Sequence, residues 1–356
     1  MTTTRTNPYL LMFGQEPQQL ITRKVETEQV IREFTSKSQS QQCYMICGLR
    51  GTGKTVFADT IKSELSKDPS WITLELNSST DLLEDLASKL ASNTTYTKWF
   101  HEAKINLSAF GFGVEIAHVA PVVNLETAVK EMLIALKKHN KRLLLIIDEV
   151  TNTASMRKFS TAFQIFLKEN LPVYLLMTGL FENVKDLKDV DNLTFLYRCP
   201  SINLVPLNNR EIAQNYEKTL GVSHEDALKM AALTKGYSFA FQALGHEAFD
   251  NGGLNDETLQ QYQNDLFEYS YKKIWSELSN NDRKVLYGLA KTKNGKYADI
   301  MKVLDIDKNH LNPYRKRLLE KGIITSVERG KLAFTLPYFG AFTIETYEDD
   351  MYYETL

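Results

Sequence analysis

Eight consecutive residues, from Gly48 to Thr55, have the types and spacing of a phosphate-binding loop. They fit the pattern G-x-x-x-x-G-K-[ST]. The glycines at 48, 51 and 53 let the backbone turn tightly, so that its N–H groups converge on phosphate oxygens. Lys54 then supplies a positive charge to the β- and γ-phosphates, and Thr55 supplies a hydroxyl for Mg²⁺. The stretch therefore predicts a site for a nucleotide and its metal ion.

The residues on either side of this loop predict the elements that position it. Cys43–Cys47 is a short apolar run, which indicates a buried strand. After the loop, Val56, Phe57, Ile61 and Leu65 recur at helical spacing, and a helix N-terminus favours a bound anion. The alternative is a chance glycine loop, which the strand–loop–helix context makes the weaker explanation. The predicted nucleotide-binding residues here are Gly48, Gly51, Thr52, Gly53, Lys54, Thr55 and Val56.

A pair of carboxylates supplies the second half of the predicted site. Asp148 and Glu149 follow the continuous apolar run Arg142–Ile147, which indicates a buried strand. Ligands bind at the carboxyl ends of strands in open α/β sheets. Hydrolysis needs a metal ligand and a group that acts on the attacking water, and we assign these roles to Asp148 and Glu149. The alternative is a charged pair that merely caps the strand.

Two further residues are candidates for catalysis. Thr178 ends the next apolar strand, which starts at Pro172, and its hydroxyl would bond the attacking water or the γ-phosphate. A plain strand-end threonine is the alternative. Arg198 lies where an arginine acting in trans would reach a neighbour's nucleotide, which implies a nucleotide-dependent homo-oligomer. A surface or interdomain ion pair would explain Arg198 equally well.

The apolar pattern of the first two hundred residues predicts an α/β fold. Apolar runs without alternation are separated by helical patterns, which is typical of a parallel sheet with helices on both faces. We expect further strands at Trp71–Leu76, Thr194–Arg198 and Ile202–Pro206. We also expect a small hairpin over Ile105–Ile116, around Gly111 and Gly113.

The pattern changes after Pro206. Residues 209–271 show helical spacing, which predicts a helical lid. Helices at Asp282–Leu289, Tyr297–Leu304 and Asn309–Lys321, followed by a hairpin with a glycine turn, predict a winged helix-turn-helix. We therefore expect an ATPase core with an N-terminal arm at 1–207, the lid at 208–272, the winged helix at 273–345 and an acidic tail at 346–356.

Charge is distributed unevenly along the chain. The 356 residues carry a net charge of -2, yet 282–340 contains thirteen basic and six acidic residues. Such asymmetry is expected where one domain meets double-stranded DNA. The alternative is a winged helix that binds protein and has a solvated basic face. The predicted DNA contacts are Asn309, His310, Arg315, Lys316, Arg329 and Lys331.

The remaining composition bears on the compartment. The three cysteines are odd in number and two lie in a predicted core strand, which favours a reducing compartment. The N-terminus lacks the apolar region of a signal peptide, and no apolar run approaches a membrane span. We expect a cytoplasmic protein with no membrane partner.

Four stretches together resemble AAA+ and STAND-type ATPases, near the archaeal and bacterial origin-recognition-like branch. They are Gly48–Thr55, Leu143–Glu149, Leu175–Thr178 and the lid segment Thr234–Gln242. The resemblance covers nearly the whole chain, through the winged helix. It implies ATP and Mg²⁺ as cofactors, with Thr55 and Asp148 as metal ligands.

The N-terminal arm resembles the adenine-binding box of the same ATPases. Asn7-Pro-Tyr, Phe13-Gly14 and Ile21-Thr22-Arg23 carry this resemblance, which implies nucleotide contacts from Ile21 and Arg23. Two positions depart from the family pattern. Thr22 stands where a glycine is usual, and Gly236 is followed by Tyr237 and Ser238 where a sensor arginine or a proline is common.

These expectations combine into one function, one rival and a third possibility, a nucleotide-binding module with negligible turnover. The chain is expected to be an ATP-dependent switch with slow or partner-stimulated ATPase activity that binds DNA through its winged helix. The rival is a signalling or defence ATPase whose winged helix binds a protein partner or holds the switch closed.

Overall fold

The structure is a computed structural model that describes residues 6–11, 17–36, 41–112, 114–191 and 193–354. The chain forms two compact units. We call the first the sheet unit, which contains Arg23–Cys47 and Lys54–Asn203. The second, the helical unit, contains Met1–Thr22, Gly48–Gly53 and Leu204–Leu356. The phosphate-binding loop therefore crosses from one unit to the other along the chain.

A five-stranded parallel sheet is the centre of the sheet unit. Its strands are β1 (Cys43–Cys47), β2 (Trp71–Leu76), β3 (Arg142–Ile147), β4 (Val173–Gly179) and β5 (Ser201–Asn203). Their order is β2-β3-β4-β1-β5, and every neighbouring pair is parallel. All residues of β1 and β4 are buried, as expected where helices cover both faces. The predicted parallel α/β fold is confirmed.

Helices connect the strands, and polar residues cap several of them. The helices are α1 (Lys24–Thr35), α2 (Lys54–Ser66), α3 (Leu82–Ala91), α4 (Thr94–Glu102), α5 (Leu125–Lys138), α6 (Ala154–Lys168), α7 (Phe181–Lys188) and α8 (Thr194–Arg198). Asp81, Asn93, Asn124 and Thr153 accept backbone N–H groups at the starts of α3 to α6. Their apolar faces bury a large common core against the sheet.

Two predictions about the sheet unit are wrong. Thr194–Arg198 was expected as a strand, but it forms the short helix α8. Leu193, Leu196 and Cys199 are buried at intervals of three, which is helical spacing, and a five-residue apolar run does not reveal this by itself. The strand expected at Ile202–Pro206 is observed as Ser201–Asn203, which pairs with β1 on the side opposite β4.

The predicted hairpin at Ile105–Ile116 is also absent from the described part of this segment. A single 3₁₀ turn at Ser108–Phe110 is followed by Gly111 with φ +75°. The Asn106 side chain holds the loop, since its amide donates to the carbonyls of Ile116 and Val119 and accepts the Ser108 N–H. Side-chain bonds of this kind compete with a strand ladder. Gly113 lies outside the described residues.

The helical unit contains the rest of the elements. They are α9 (Asn209–Leu220), α10 (His224–Thr234), α11 (Ser238–Asp250), α12 (Asp256–Leu266), a π-helical turn (Phe267–Tyr271), α13 (Lys272–Ser276), α14 (Asn280–Ala290), α15 (Tyr297–Leu304), α16 (Lys308–Glu320), β6 (Ile324–Glu328), β7 (Lys331–Phe334) and α17 (Phe339–Glu354). β6 and β7 pair antiparallel, and the acidic residues from 346 onward continue α17. No helix within the described ranges has both the length and the apolar character needed to cross a membrane.

The N-terminal arm packs into the helical unit through Tyr9. The ring of Tyr9 is fully buried and lies against Tyr216 and Phe241. Its hydroxyl donates to Asn215 Oδ1 at 2.8 Å, so the buried phenol has a polar partner. Gln242 accepts the Leu10 N–H and donates to the carbonyl of Gln19. The arm is thus an ordered part of the helical unit over its described residues.

Candidate nucleotide site and basic surface

The phosphate-binding loop lies between β1 and α2 in the chain, and two of its glycines have left-handed conformations. φ is +76° at Gly51 and +85° at Gly53, a region that favours glycine. A Cβ on Gly51 would also lie 2.2 Å from the Tyr237 hydroxyl oxygen. Within the loop, the Thr52 hydroxyl donates to the Leu49 carbonyl at 2.8 Å. Lys54 is the first residue of α2 and is buried, followed by the half-buried Thr55 and Val56.

The sheet register brings Thr55, Asp148 and Thr178 together. β3 and β4 are neighbours, with Ile147 opposite Met177, so Asp148 follows β3 beside Thr178 near the end of β4. The Thr55 hydroxyl donates to Asp148 Oδ2 at 2.8 Å, and the Thr178 hydroxyl donates to the other oxygen, Oδ1. The loop threonine and the strand-end carboxylate that the sequence predicts are therefore direct hydrogen-bond partners.

Glu149 has a strained backbone conformation beside this network. Its φ is +52°, which is uncommon for a residue with a Cβ. Its N–H donates to the Thr178 hydroxyl and to Asp148 Oδ1, both at 3.1 Å, and the next N–H, that of Val150, donates to the Thr178 carbonyl. Strain of this kind persists only where the surroundings over-determine it, and it clusters at functional sites. The Glu149 side chain itself is exposed.

The hydroxyl of Thr178 is used within the protein. Thr178 is fully buried, donates its hydrogen to Asp148 and accepts the Glu149 N–H. In this structure it joins the two carboxylate residues and fixes the backbone between them. The predicted contact from this hydroxyl to water or γ-phosphate stays a prediction.

The other predicted site residues belong to other elements of the two units. Arg198 is the exposed last residue of α8. Ile21 packs against the apolar core of the helical unit, and Arg23 precedes α1 in the sheet unit, where burial lowers the pKa of its guanidinium. Phe13 and Gly14, which belong to the proposed adenine box, lie outside the described residues.

The predicted DNA contacts separate into two sets. Asn309 and His310 begin α16, and they are exposed together with Lys316 and with Arg329 in the β6–β7 turn. By contrast, Arg315 stacks over the Tyr297 ring and donates to its hydroxyl at 2.8 Å.

Several basic side chains of this segment are bound to carboxylates of the same unit. Lys331 Nζ lies 3.0 Å from Glu328, and Lys291 lies 2.6 Å from Glu348. Arg317 lies 2.7 Å from the buried carboxylate of Asp282. Asp282 and Glu328 are already among the six acidic residues of 282–340, so of these three carboxylates Glu348 is the one that lowers the basic excess counted along the sequence.

Sequence reasoning did not foresee the contacts to the carbonyl side of the phosphate-binding loop. Tyr237 and Ser238 donate to the carbonyls of Arg50 and Thr52. One sequence feature could have indicated these contacts. Tyr237 and Ser238 follow Gly236 where the family pattern commonly has a sensor arginine or a proline.

The fold and the arrangement of the motifs are those of a P-loop domain of the AAA type. The defining features are the strand order β2-β3-β4-β1-β5, the glycine loop after β1 and the carboxylates after β3. Residues 36–184 match the family model of an AAA domain. Residues 268–343 match a model described as a domain of unknown function (DUF8462). No curated protein sequence is similar enough to this chain to count as a relative.

Solved structures of archaeal ATPases share the fold. The Aeropyrum pernix ORC2 protein in its ADPNP–ADP complexes has a TM-score of 0.65 at 14% identity, covering 97% of this chain and 98% of that chain. Its ADP form has a TM-score of 0.55 at 14% identity, covering 94% and 97%. The Walker-type ATPase PABY2304 of Pyrococcus abyssi has a TM-score of 0.63 at 16% identity, covering 91% and 96%. The chain thus has the fold of origin-recognition-type AAA+ ATPases.

Proposed function

We propose that the chain binds and slowly hydrolyses ATP with Mg²⁺, and that this switch controls DNA binding by a C-terminal winged helix. The observation that carries the nucleotide part is the bond from Thr55 to Asp148, which joins the glycine loop motif to the strand-end carboxylate. The ORC2 structures that share the fold are complexes with ADPNP and ADP, and this supports a nucleotide as the ligand. The three buried, free cysteines support a reducing compartment such as the cytoplasm.

The residues at this point suit magnesium. Mg²⁺ prefers hard oxygen ligands and is commonly held by a hydroxyl or carboxylate together with phosphate oxygens. The Thr55 hydroxyl and the Asp148 carboxylate supply such oxygens in direct contact. When bound, the ion would neutralise charge on the phosphates. Thr178 keeps the Asp148 carboxylate in place from its other side.

The other proposed roles, nucleotide binding and activation of the attacking water, belong to separate groups of the chain. The loop N–H groups and Lys54 would bind and orient the phosphates, and Ile21 and Arg23 are proposed to contact the adenosine part. Glu149, exposed and held by Thr178, would accept a proton from the attacking water. Arg198 is exposed at the end of α8, so we propose that it contacts the nucleotide of a neighbouring subunit.

Two substitutions test the nucleotide site. Lys54→Ala should abolish ATP binding in calorimetry, because it removes the charge that meets the phosphates, whereas the control Lys67→Ala, an exposed lysine just after α2, should bind as the wild type does. Glu149→Gln keeps the shape of the side chain and removes its basicity. It should retain ATP while turnover falls by about two orders of magnitude or more. Unchanged ATP affinity in Lys54→Ala, confirmed on protein with a wild-type melting curve, would refute the site.

The DNA part of the proposal depends on the exposed basic residues. Lys316 on α16 and Arg329 in the β6–β7 turn are exposed on the elements that meet a groove and the phosphates in winged helices. Asn309 and His310 add hydrogen-bonding groups at the start of α16. Lys331 and Arg315 would have to exchange their present partners, Glu328 and Tyr297, for phosphates.

A specific observation favours the rival function, in which the winged helix binds a protein partner or holds the switch closed. The carboxylates of α17 neutralise part of this segment, since Glu348 pairs with Lys291, and Asp350 lies 3.6 Å from Arg283. A segment with fewer available cations attracts DNA less strongly, and such a segment would suit a protein partner or an autoinhibitory contact.

Fluorescence anisotropy with duplex DNA across a salt series separates the two. Lys316→Glu with Arg329→Glu should weaken binding to all sequences and flatten the salt dependence, because phosphate contacts are lost. Lys98→Glu with Lys138→Glu is the matched control, since both lysines are exposed in the sheet unit and the change in net charge is the same. If both pairs of substitutions weaken DNA binding equally, or if the affinity does not change with salt, the result would favour a winged helix that binds a protein partner.

A further inference from the structure

The carbonyl side of the phosphate-binding loop is held by the start of helix α11. The Tyr237 hydroxyl donates to the Arg50 carbonyl at 2.7 Å, and the Ser238 hydroxyl donates to the Thr52 carbonyl at 2.9 Å. The carbonyl between them, that of Gly51, accepts the backbone N–H of Phe239 at 3.0 Å. Three successive carbonyls of the loop thus have partners on three successive residues, all within the helical unit.

We infer that Tyr237 and Ser238 are positioning residues of the nucleotide site, which hold the loop in its phosphate-binding conformation. This inference rests on the proposed nucleotide binding. A loop binds phosphate when successive N–H groups point into one concavity. Bonds that fix the carbonyls of the same peptide groups also fix the direction of those N–H groups. The loop is therefore ordered before a ligand arrives, which lowers the entropy cost of binding.

The start of α11 is built for this contact. Its N-cap residue is Tyr237, which makes no side-chain bond to its own helix. Ser, Thr, Asp and Asn are the usual N-cap residues because they accept the first free N–H groups. Here the Gly51 carbonyl accepts one of those groups, so the loop caps the helix and the tyrosine hydroxyl is left to bind the loop.

Both ends of the Tyr237 contact are fixed. The hydroxyl is a bond partner of Ser270 Oγ at 2.7 Å, in the π-helical turn, and Tyr237 and Ser270 are both buried. Burial raises the pKa of the Tyr237 phenol above its usual range, so the group remains a donor at neutral pH. On the loop side, the guanidinium of Arg50 lies 3.1 Å from the Glu277 carboxylate, which holds residue 50 a second time.

The geometry points to positioning and not to detection of the γ-phosphate. The hydroxyl hydrogens of Tyr237 and Ser238 are both donated to loop carbonyls. The first two turns of α11, Ser238–Gly245, contain no lysine or arginine. A side chain that orders the loop affects every nucleotide that uses the loop. Losing it should therefore weaken ADP and a non-hydrolysable ATP analogue by the same factor.

The experiment compares full-length variants in calorimetric titrations with MgADP and MgADPNP. Ser238→Ala and Tyr237→Phe should each raise both dissociation constants several-fold, and the double variant about tenfold or more, as expected for lost hydrogen bonds to a preorganised loop. Ser238→Thr retains a hydroxyl and should bind nearly as the wild type does. Ser223→Ala is the matched control, because it removes a hydroxyl from the start of α10 and should leave both constants unchanged.

The outcomes separate the inference from the function on which it rests. Wild-type affinity in the double variant, or the same loss in Ser238→Thr as in Ser238→Ala, would overturn the inference alone. A loss confined to MgADPNP would overturn it in favour of γ-phosphate detection. If the wild type binds neither nucleotide, the proposed function fails and the inference fails with it.

Discussion

Helix α11 approaches the N-terminal arm so closely at Gly245 that a methyl group does not fit. A Cβ at this position would lie 2.5, 2.6 and 2.7 Å from Cδ1, Cε1 and Cγ of the Tyr9 ring. The ring is fully buried between Tyr216 and Phe241, with centroids 5.9 and 5.7 Å away. Interiors packed in this way do not absorb such an overlap. Gly245→Ala should therefore displace Tyr9 and with it the arm.

The size of the effect follows from two opposing contributions. Alanine in a helix interior is more favourable than glycine by about 1 kcal/mol. Displacing a buried aromatic side chain costs about 3–5 kcal/mol, by analogy with truncation to alanine. The hydrogen bond from Tyr9 to Asn215 adds about 1 kcal/mol to the loss. The expected net loss for Gly245→Ala is about 3–5 kcal/mol.

A double-mutant cycle measured by urea unfolding tests this reasoning. In a Tyr9→Ala background the obstacle is gone, so Gly245→Ala should be neutral or stabilise by up to about 1 kcal/mol. The two substitutions should thus be strongly non-additive. The reasoning is refuted if Gly245→Ala leaves the wild type unchanged, or if it costs the same in both backgrounds.

Three further predictions concern single groups. Burial raises the pKa of Asp265 to about 7, with help from Glu247, so its stabilising contribution is complete below its unfolded pKa and is lost as the pH rises through about 7. Asp265→Asn should remove a decline in the free energy of unfolding on the order of 1–2 kcal/mol between pH 5 and 8 in urea titrations, a figure reduced because the group is partly exposed to solvent. Arg317→Met should lower the free energy of unfolding by about 1–3 kcal/mol in the same assay, because it leaves the buried Asp282 carboxylate without its charged partner while the Ser279 hydrogen bonds remain. Asp282→Asn in the same background should recover part of the loss. Thr178→Val should lower kcat at least about tenfold with little change in KM, since it frees the backbone of Glu149, the proposed catalytic carboxylate; an unchanged kcat would count against the proposed role.

The features that the sequence predicts correctly are local in the chain. The parallel sheet follows from apolar runs that are long enough to be buried, and the glycine loop after β1 has a fixed pattern of eight residues. Parallel strands also end at one edge, which is why Asp148 and Thr178 are neighbours in the sheet although thirty residues separate them. Short apolar runs are predicted less well, because they are too short to distinguish helical from strand spacing. Thr194–Arg198, which was predicted as a strand and forms a helix, is an example.

The contacts that the sequence does not reveal join distant segments through ordinary residue types. The bond from Tyr237 to Arg50 spans 187 positions, and the residues after Gly236 give no indication of which distant segment they contact. Gly245 likewise looks like a weak point in a helix until Tyr9 is placed beside it. In both cases the local preference is broken, by a tyrosine at an N-cap and by a glycine inside a helix. Breaks of this kind indicate that a tertiary contact has overridden propensity.

The number of basic side chains that are available to DNA also cannot be read from the sequence alone. This number determines how strongly the proposed DNA affinity should depend on salt. The sequence counts thirteen basic residues in 282–340, but the structure pairs Lys291, Arg317 and Lys331 with carboxylates. Among the predicted contacts, Lys316 and Arg329 are the exposed cations in the described residues, and Lys316 makes only a long, exposed ion pair, 3.9 Å from Glu320. Each neutralised phosphate contributes a slope of about -0.9 to the dependence of log affinity on log salt, so these two give about -2. A measured slope much steeper than this would show that paired residues such as Lys331 leave their carboxylates to bind DNA.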